Sequence, residues 1–201
     1  KLKNNKRYNC GFVFDCTGFA RLLIGKHYKE KWVSYQKHLP MKKAIPFILE
    51  PEENIKPYTR SIAMKHGWMW KIPLQNRIGA GCVFDSDYIN EDQAVDEANK
   101  FLNKKIKPIK VIDFKAGRYE NTWVKNCMAV GLSSGFTEPL EATSLYLTVE
   151  QLNLLPQYIP YMFKHNITSL NQFNDIINYS NDSVMHFLYL HYLTKRRDSK
   201  F

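Results

Sequence analysis

The chain has 201 residues, of which 44% are hydrophobic, and a formal net charge of +10 at pH 7. This length suits one domain with a single sizeable core, and no run of about 18 apolar residues indicates a membrane span. The lysines are spread along the chain, which disfavours nucleic-acid binding. The first residues lack a signal-peptide core, so the cytoplasm is the default location.

The cysteines predict neither a zinc site nor a disulfide framework. Cys10, Cys16, Cys82 and Cys127 are scattered, and none of them belongs to a Cys-x-x-Cys pair. We therefore expect no metal centre.

The first half of the chain predicts strands separated by irregular segments. Tyr8–Cys16 alternates and predicts a buried strand, and Phe19–Ile24 predicts a short amphipathic segment. Prolines punctuate Tyr28–Lys56 and predict irregular structure there. Ser61–Ile72 and Arg77–Phe84 then predict two strands of one hairpin.

The second half predicts helices on either side of two further strands. A helix begins after Asn90, with Gln93 placed to complete a capping box, and it ends at Lys104 and Lys105. The remaining predicted elements are strands at Ile109–Arg118 and Thr122–Gly131 and helices at Thr143–Leu155, Leu170–Asn178 and Val184–Thr194. Pro156 is expected to stop the first of these helices. This order favours an α+β fold.

Trp68 and Trp70 lie two residues apart in a predicted strand, so their side chains share one face. The structural interpretation is a pair of core aromatic side chains, each of which needs a partner for its indole N–H. The functional interpretation is an aromatic wall beside a ligand.

The segment Ser133–Ser144 is a loop shaped by glycine and proline that leads into a predicted helix. The first N–H groups of a helix lack intrahelical partners and carry partial positive charge, which suits an anion. Glu138 and Glu141 place carboxylates at the approach. They are either exposed acidic residues near a helix start, where negative charge is favourable, or the proton acceptor of a site that also holds a halide-sized anion.

Together, several segments resemble the flavin-dependent tryptophan halogenases. Asp15–Phe19, by itself an ordinary tight turn, resembles the family's Asp-Cys-Ser-Gly-Phe, and Gly67–Pro73 matches its Trp-x-Trp-x-Ile-Pro signature. Ser133–Ser144 resembles its glutamate loop, and His186–Tyr192 resembles a later helix. The resemblance implies part of an FAD-dependent monooxygenase-like fold, with a mixed or antiparallel sheet and packed helices.

The resemblance extends over nearly all of residues 1–201 but only the middle of a family-length chain. It implies a single internal fragment, inactive alone, with the dinucleotide-binding motif and the essential lysine of the family upstream.

The resemblance also assigns residue roles. It implies that Glu141 contacts the substrate indole and takes the departing ring proton, and that the backbone at Thr143 and Ser144 holds the halide. Leu132 and Leu145 are implied to touch the flavin. Trp68 and Trp70 are implied to separate the organic substrate from the flavin.

This chain departs from the family at the halide positions. The family usually has Ser-Thr-Gly where this sequence has Ala142, Thr143 and Ser144. The side chain of Ser144 is added where the backbone must approach an ion, so halide affinity is expected to be affected.

The implied activity is halogenation of tryptophan or a related indole or aromatic substrate. It uses reduced FAD supplied by a separate flavin reductase, together with dioxygen and chloride or bromide, through hypohalous acid. A homodimer is possible. The alternatives are a hydroxylating flavin monooxygenase, a basic nucleic-acid-binding module and an inactive truncated product. The mass of the product distinguishes halogenation from hydroxylation, and salt-dependent binding would indicate nucleic acid.

Overall fold

The computed structural model describes residues 6–163 and 167–193. These residues form two compact units. One combines residues 6–35 with residues 117–163 and 167–188, and the other combines residues 36–116 with residues 189–193.

Helices and strands are mixed along the chain, as the sequence predicts for an α+β fold. The strands are β1 (Val13–Asp15), β2 (Trp32–Ser34), β3 (Lys43–Leu49), β4 (Arg60–Ala63), β5 (Gly67–Pro73), β6 (Ile78–Phe84), β7 (Ile112–Asp113), β8 (Gly117–Tyr119), β9 (Trp123–Val124), β10 (Cys127–Ala129) and β11 (Gly135–Phe136). The α-helices are α1 (Glu91–Leu102), α2 (Thr143–Met162) and α3 (Ile167–Leu190).

Residues 36–116 form one antiparallel sheet with the strand order β4-β5-β6-β3-β7. Helix α1 covers one face of this sheet, where Met69 and Phe47 share a core with Ala98. The predicted capping box of α1 is confirmed, because Asn90 and Gln93 exchange side-chain and backbone hydrogen bonds. The helix ends at Leu102, two residues before the predicted end, because Asn103 adopts a left-handed conformation with φ of 47°.

The predicted hairpin is confirmed as β5 and β6, but its first strand is shorter than expected. A single strand over Ser61–Ile72 is wrong, because the chain reverses between β4 and β5 and the N–H of Met64 donates to the carbonyl of Gly67. Gly67 passes so close to β6 that a Cβ there would lie 1.9 Å from the carbonyl oxygen of Val83. Only glycine permits this approach.

Strand β3 lies in the segment that the sequence predicts to be irregular. The prediction is wrong because Pro46 is tolerated inside the strand. The carbonyl of Pro46 accepts a hydrogen bond from the N–H of Ile109 at 2.9 Å. The proline nitrogen therefore lies on the side away from β6, where β7 pairs only with Lys43 and Ala44 and no N–H is required.

Residues 6–35 and 117–188 contain two small sheets, with strand orders β1-β10-β9 and β11-β8-β2. Long strands at 8–16, 109–118 and 122–131 are wrong. β1 covers only three residues, β7 and β8 belong to different sheets, and β9 and β10 form a tight hairpin. Lys125 has φ of 53° in that hairpin, which turns the chain.

Helix α2 continues through Pro156 and Pro160, so the predicted stop at Pro156 is wrong. Beyond Pro156, Tyr158 and Met162 pack with Phe173 of α3 in a common core. This burial outweighs the cost of the missing N–H, which is about 3 kcal/mol for a proline inside a helix.

The two predicted helices after residue 167 are one helix, α3. The polar residues at its centre are accommodated by the fold. Asn181 is buried, and Asp182 forms an ion pair with Arg118. Earlier in the helix, the buried Asn174 accepts from the N–H groups of Thr122 and Trp123 and donates to the carbonyl of Trp123.

Candidate functional site

The residues that the sequence nominates fall into two groups. Leu132, Glu141, Thr143, Ser144 and Leu145 belong to the unit that contains α2, and the two tryptophans of β5 belong to the other.

A short turn leads into the loop of residues 133–144, and the segment that follows Asp15 contacts this turn. Leu132 is half-buried in a short 3₁₀ turn, Gly131–Ser133, in which Gly131 has φ of +65°. The hydroxyl of Ser133 donates to the carbonyl of Gly18 at 3.3 Å. The turn is thereby joined to the segment that follows β1.

Asp15 organises that segment. Its buried carboxylate accepts from the hydroxyl of Thr17 at 2.5 Å and from the N–H groups of Leu23 and Ile24 at 2.8 and 2.9 Å. Burial raises the pKa of Asp15, but the bonds from Thr17, Ile24 and Leu23 together lower it below its ordinary value. Asp15 is thus an ionised structural anchor, as the interpretation of an ordinary turn predicts.

The middle of the loop is held by buried hydroxyl groups. Thr137 and Glu138 are fully buried. The hydroxyl of Thr143 donates to the carbonyl of Leu140 at 3.1 Å and lies 3.2 Å from the hydroxyl of Thr137. The beginning of α2 is therefore joined directly to the strand end of the loop.

Glu141 and Ala142 both adopt left-handed backbone conformations, with φ of 56° and 52°. For residues other than glycine, this conformation costs roughly 1–2 kcal/mol each. Strain of this kind persists only where surrounding contacts hold the backbone, and it is concentrated at functional sites. The side chain of Glu141 is exposed, so its carboxylate is open to solvent.

The first turn of α2 carries the predicted halide and flavin positions. Its N-cap is Ala142, which provides no side-chain hydrogen bond, and the N–H of Thr143 donates to the carbonyl of Leu140. The hydroxyl oxygen of Ser144 is buried without a partner in the described part of the chain. Leu145 is 71% exposed. The helix start therefore presents an apolar side chain beside the first backbone N–H groups of α2, which lack intrahelical partners and could bind another group.

An ion pair that the sequence does not reveal lies directly beside the loop. Arg118 of β8 makes two parallel bonds of 2.9 Å to the carboxylate of Asp182 of α3. The hydroxyl of Tyr35 donates to the same carboxylate at 2.5 Å. Arg118 is the register partner of Gly135 in β11, the strand that leads into the loop. The three residues lie far apart in sequence, so no local pattern indicates the contact.

The tryptophans share one face of β5, as predicted. Their ring centroids are 6.1 Å apart with an interplanar angle of 59°. Met69, which lies between them, points into the core against α1, so the tryptophans lie on the opposite face. The ring of Trp70 covers Gly81, where a Cβ would lie 2.2 Å from the ring. The indole N–H of Trp68 is buried with no partner among the described residues.

Within residues 6–163 and 167–193, no three His, Cys, Asp or Glu side chains are grouped so that they could hold a metal ion. None of the helices there has the length and hydropathy needed to cross a bilayer.

The loop that carries Glu141 leads directly into the start of α2, which is the order of elements in which the sequence resembles the flavin-dependent halogenases. The tryptophan halogenase family model matches residues 1–201. The chain therefore belongs to the tryptophan halogenase family.

Individual relatives agree with this assignment. KtzQ, a tryptophan 7-halogenase of Kutzneria sp., is 35% identical over 93% of this chain and 36% of its own length. SttH, a tryptophan 6-halogenase of Streptomyces toxytricini, is 36% identical over 93% of this chain and 37% of its own length. The solved structure of BrvH, a flavin-dependent halogenase from Brevundimonas sp. BAL3, matches with a TM-score of 0.92 and 35% identity over 100% of this chain and 41% of BrvH.

These comparisons confirm the fold class and show how much of each relative the chain matches. The chain spans between 36% and 41% of the length of these three relatives. A 6-halogenase and a 7-halogenase resemble it to nearly the same degree, so overall similarity does not identify a ring position.

Proposed function

We propose that the protein carrying this chain is an FAD-dependent halogenase that acts on tryptophan or a related indole ring. The observation that carries the proposal is the position of Glu141, an exposed carboxylate held in a left-handed conformation two residues before α2. Because the chain belongs to the tryptophan halogenase family, we assign this carboxylate a role in halogenation.

The residues present fit the flavin and halide that the family implies. Leu132 and the exposed Leu145 would contact FAD, which, when bound in reduced form, supplies the activation of dioxygen that oxidises the halide. The first turn of α2 would hold chloride or bromide, because helix N-termini favour anions. Ser144 adds a buried hydroxyl that has no hydrogen-bond partner among the described residues, so its side chain offers a donor as well as the bulk expected from the sequence.

Glu141 would act on the substrate ring. Its carboxylate would stabilise the positive charge that develops when the ring accepts an electrophilic halogen, and it would then take the ring proton. Trp68 and Trp70 would form an aromatic surface that keeps the organic substrate apart from the flavin. A separate flavin reductase would deliver the reduced cofactor, and the cytoplasmic location remains a prediction from the sequence.

The test is Glu141→Gln in the full-length protein, assayed with reduced FAD, tryptophan and chloride or bromide. General acid–base groups contribute about 10²–10⁴-fold, so we expect kcat to fall by that factor. We expect an unchanged Tm, because Glu141 is exposed. The matched control is Glu120→Gln, which removes another carboxylate that is partly exposed and pairs with Lys31.

Mass spectrometry identifies the reaction. A halogen isotope doublet in the product supports the proposal. Gain of a single oxygen without halogen would establish the hydroxylating alternative instead. A Glu141→Gln variant with the full halogenation rate would show that the carboxylate has no role in the chemical step.

A further inference from the structure

The loop that carries Glu141 is bordered by different elements at its two ends. At its start, Gly135 and Phe136 of β11 pair with Arg118 and Gly117 of β8. At its end, Ser144 of α2 shares a small cavity of about 10 Å³ with Ile177 and Asn181 of α3. The position of Glu141 therefore depends on how β8 and α3 are held together.

The pair of Arg118 and Asp182 makes that connection. Arg118 is 9% exposed and donates from Nε and from one terminal nitrogen to the two carboxylate oxygens, each at 2.9 Å. A second terminal nitrogen donates to the carbonyl of Tyr119 at 3.3 Å. A bidentate contact of this kind fixes orientation as well as distance. Tyr35, which directly follows β2, donates to the same carboxylate.

We infer that Arg118 and Asp182 are positioning residues for Glu141, and that they hold the left-handed loop in its reactive conformation by fixing β8 against α3. The inference rests on the proposed function. Its physical basis is that two successive left-handed residues remain in place only where their surroundings oppose relaxation. Asp182 lies one residue after Asn181, on the same helix that borders Ser144.

The first experiment uses Asp182→Asn in the full-length holoenzyme. Asparagine keeps the shape but loses the charge and one acceptor for Arg118. A small misplacement of a catalytic group can cost about 10²-fold, so we expect kcat to fall by about 10–100-fold with KM within about threefold. Asp182→Glu, which retains the carboxylate, is expected to recover part of kcat. The matched control is Glu120→Gln in the exposed pair with Lys31.

The same substitution in a Glu141→Gln protein distinguishes a positioning role of Asp182 from a general effect on stability. If Asp182 acts through Glu141, Asp182→Asn has little further effect on kcat in a Glu141→Gln protein, because the group being positioned is already gone. If the two losses multiply, Asp182 does not act through Glu141 and the inference is wrong. Should Asp182→Asn fail to fold, Tyr35→Phe removes only one bond to Asp182 and is expected to give a smaller loss of the same pattern.

Hydrogen exchange gives a readout that does not depend on activity. In Asp182→Asn we expect faster amide exchange over residues 137–144 and unchanged exchange in β5 and β6. Unchanged exchange over 137–144 would overturn the inference. If the wild type produces no halogenated product but the loop still loses protection selectively, the proposed function fails while the positioning role is retained.

Discussion

The hairpin of β5 and β6 and the loop of residues 135–144 each carry residues proposed to face a ligand, and they are built in opposite ways. In the hairpin, regular strand alternation places Trp68 and Trp70 on one face, and Gly81 makes room for the ring of Trp70. In the loop, two left-handed residues and buried hydroxyl groups place Glu141, β8 pairs with the strand that leads into the loop, and α3 borders the cavity at Ser144.

The two regions therefore respond differently to change. In the hairpin, close packing leaves no space for an added methyl group at Gly67 or Gly81, so such a substitution lowers the free energy of unfolding. In the loop, the left-handed backbone is strained, and we expect relief of that strain to position Glu141 less precisely. A surface that only separates two ligands is well served by regular structure. A group that must meet a reacting atom requires a special backbone conformation, and the fold supports it from outside the loop.

The largest effect is expected at Gly67. In Gly67→Ala the new Cβ would lie 1.9 Å from the carbonyl oxygen of Val83, which is a backbone atom and must move. We expect a loss of about 3–5 kcal/mol in the free energy of unfolding, the range of exceptional single-site effects. Chemical denaturation measures this quantity. A loss below 1 kcal/mol would mean that the hairpin is not limited by sterics.

A smaller effect is expected at Gly81. In Gly81→Ala the new Cβ meets the ring of Trp70 at 2.2 Å, and this partly exposed ring is able to shift. Overpacking costs about 1–3 kcal/mol, and the displaced ring should change the tryptophan fluorescence. The control is Gly79→Ala on the same face, where the nearest atom is 3.9 Å away. Equal losses at both positions would contradict the proposed packing of Trp70.

At Ala142 the expected stability change has the opposite sign. Glycine accepts φ of 52° without strain, so Ala142→Gly relieves the left-handed conformation while making the unfolded chain more flexible. The balance is a stabilisation of less than about 1 kcal/mol, accompanied by lower kcat because Glu141 is less firmly held. The comparison is Ala98→Gly inside α1, where glycine costs about 1 kcal/mol in helix propensity and the substitution also removes a buried methyl group. Raised kcat in Ala142→Gly would show that the strain serves no purpose.

The smallest expected effect is a structural change at low pH that is confined to the loop of residues 135–144. Burial raises the pKa of Asp182, but hydrogen bonds from Arg118 and Tyr35 and the charges of Arg118 and His186 together lower it below its ordinary value of 3.8. A lowered carboxyl pKa contributes stability above the ordinary value, and this contribution is lost as the pH falls through the folded-state pKa.

We therefore expect acid below about pH 4 to change the amide NMR shifts of residues 135–144 before those of β5 and β6. Asp182→Asn should remove this difference. Simultaneous changes in both regions would indicate global acid unfolding instead.

Local rules predicted those parts of the fold that are determined locally. The Asn90 capping box, the β5–β6 hairpin and the shared face of the two tryptophans follow from short-range geometry and are confirmed. The errors arise where distant residues decide the structure. Burial against Phe173 carries α2 past Pro156, and the pair with Arg118 carries α3 through its polar centre.

The candidate site divides in the same way. The sequence identified Glu141 and Thr143 through residue types that the family shares and Ser144 through its position in the matching loop, and the roles of all three remain predictions. It had no means of finding Arg118, Asp182 and Tyr35, which meet from three separate elements. The left-handed conformation of Glu141 was equally hidden, because neither Glu141 nor Ala142 is a residue type that prefers it.

Pro156 and Pro160 bear on the order in which the chain folds. A proline donates no N–H, so the carbonyls one turn earlier receive no bond from these positions, and the second half of α2 depends on its contacts with Phe173. Tyr158 also packs against Trp123 of β9, which is more distant in sequence, and such a contact forms late when local structure does not support it. Tyr158→Ala should therefore accelerate unfolding far more than it slows refolding. The half of α2 that carries the proposed halide positions, Thr143 and Ser144, would then be in place before the half that packs against Phe173.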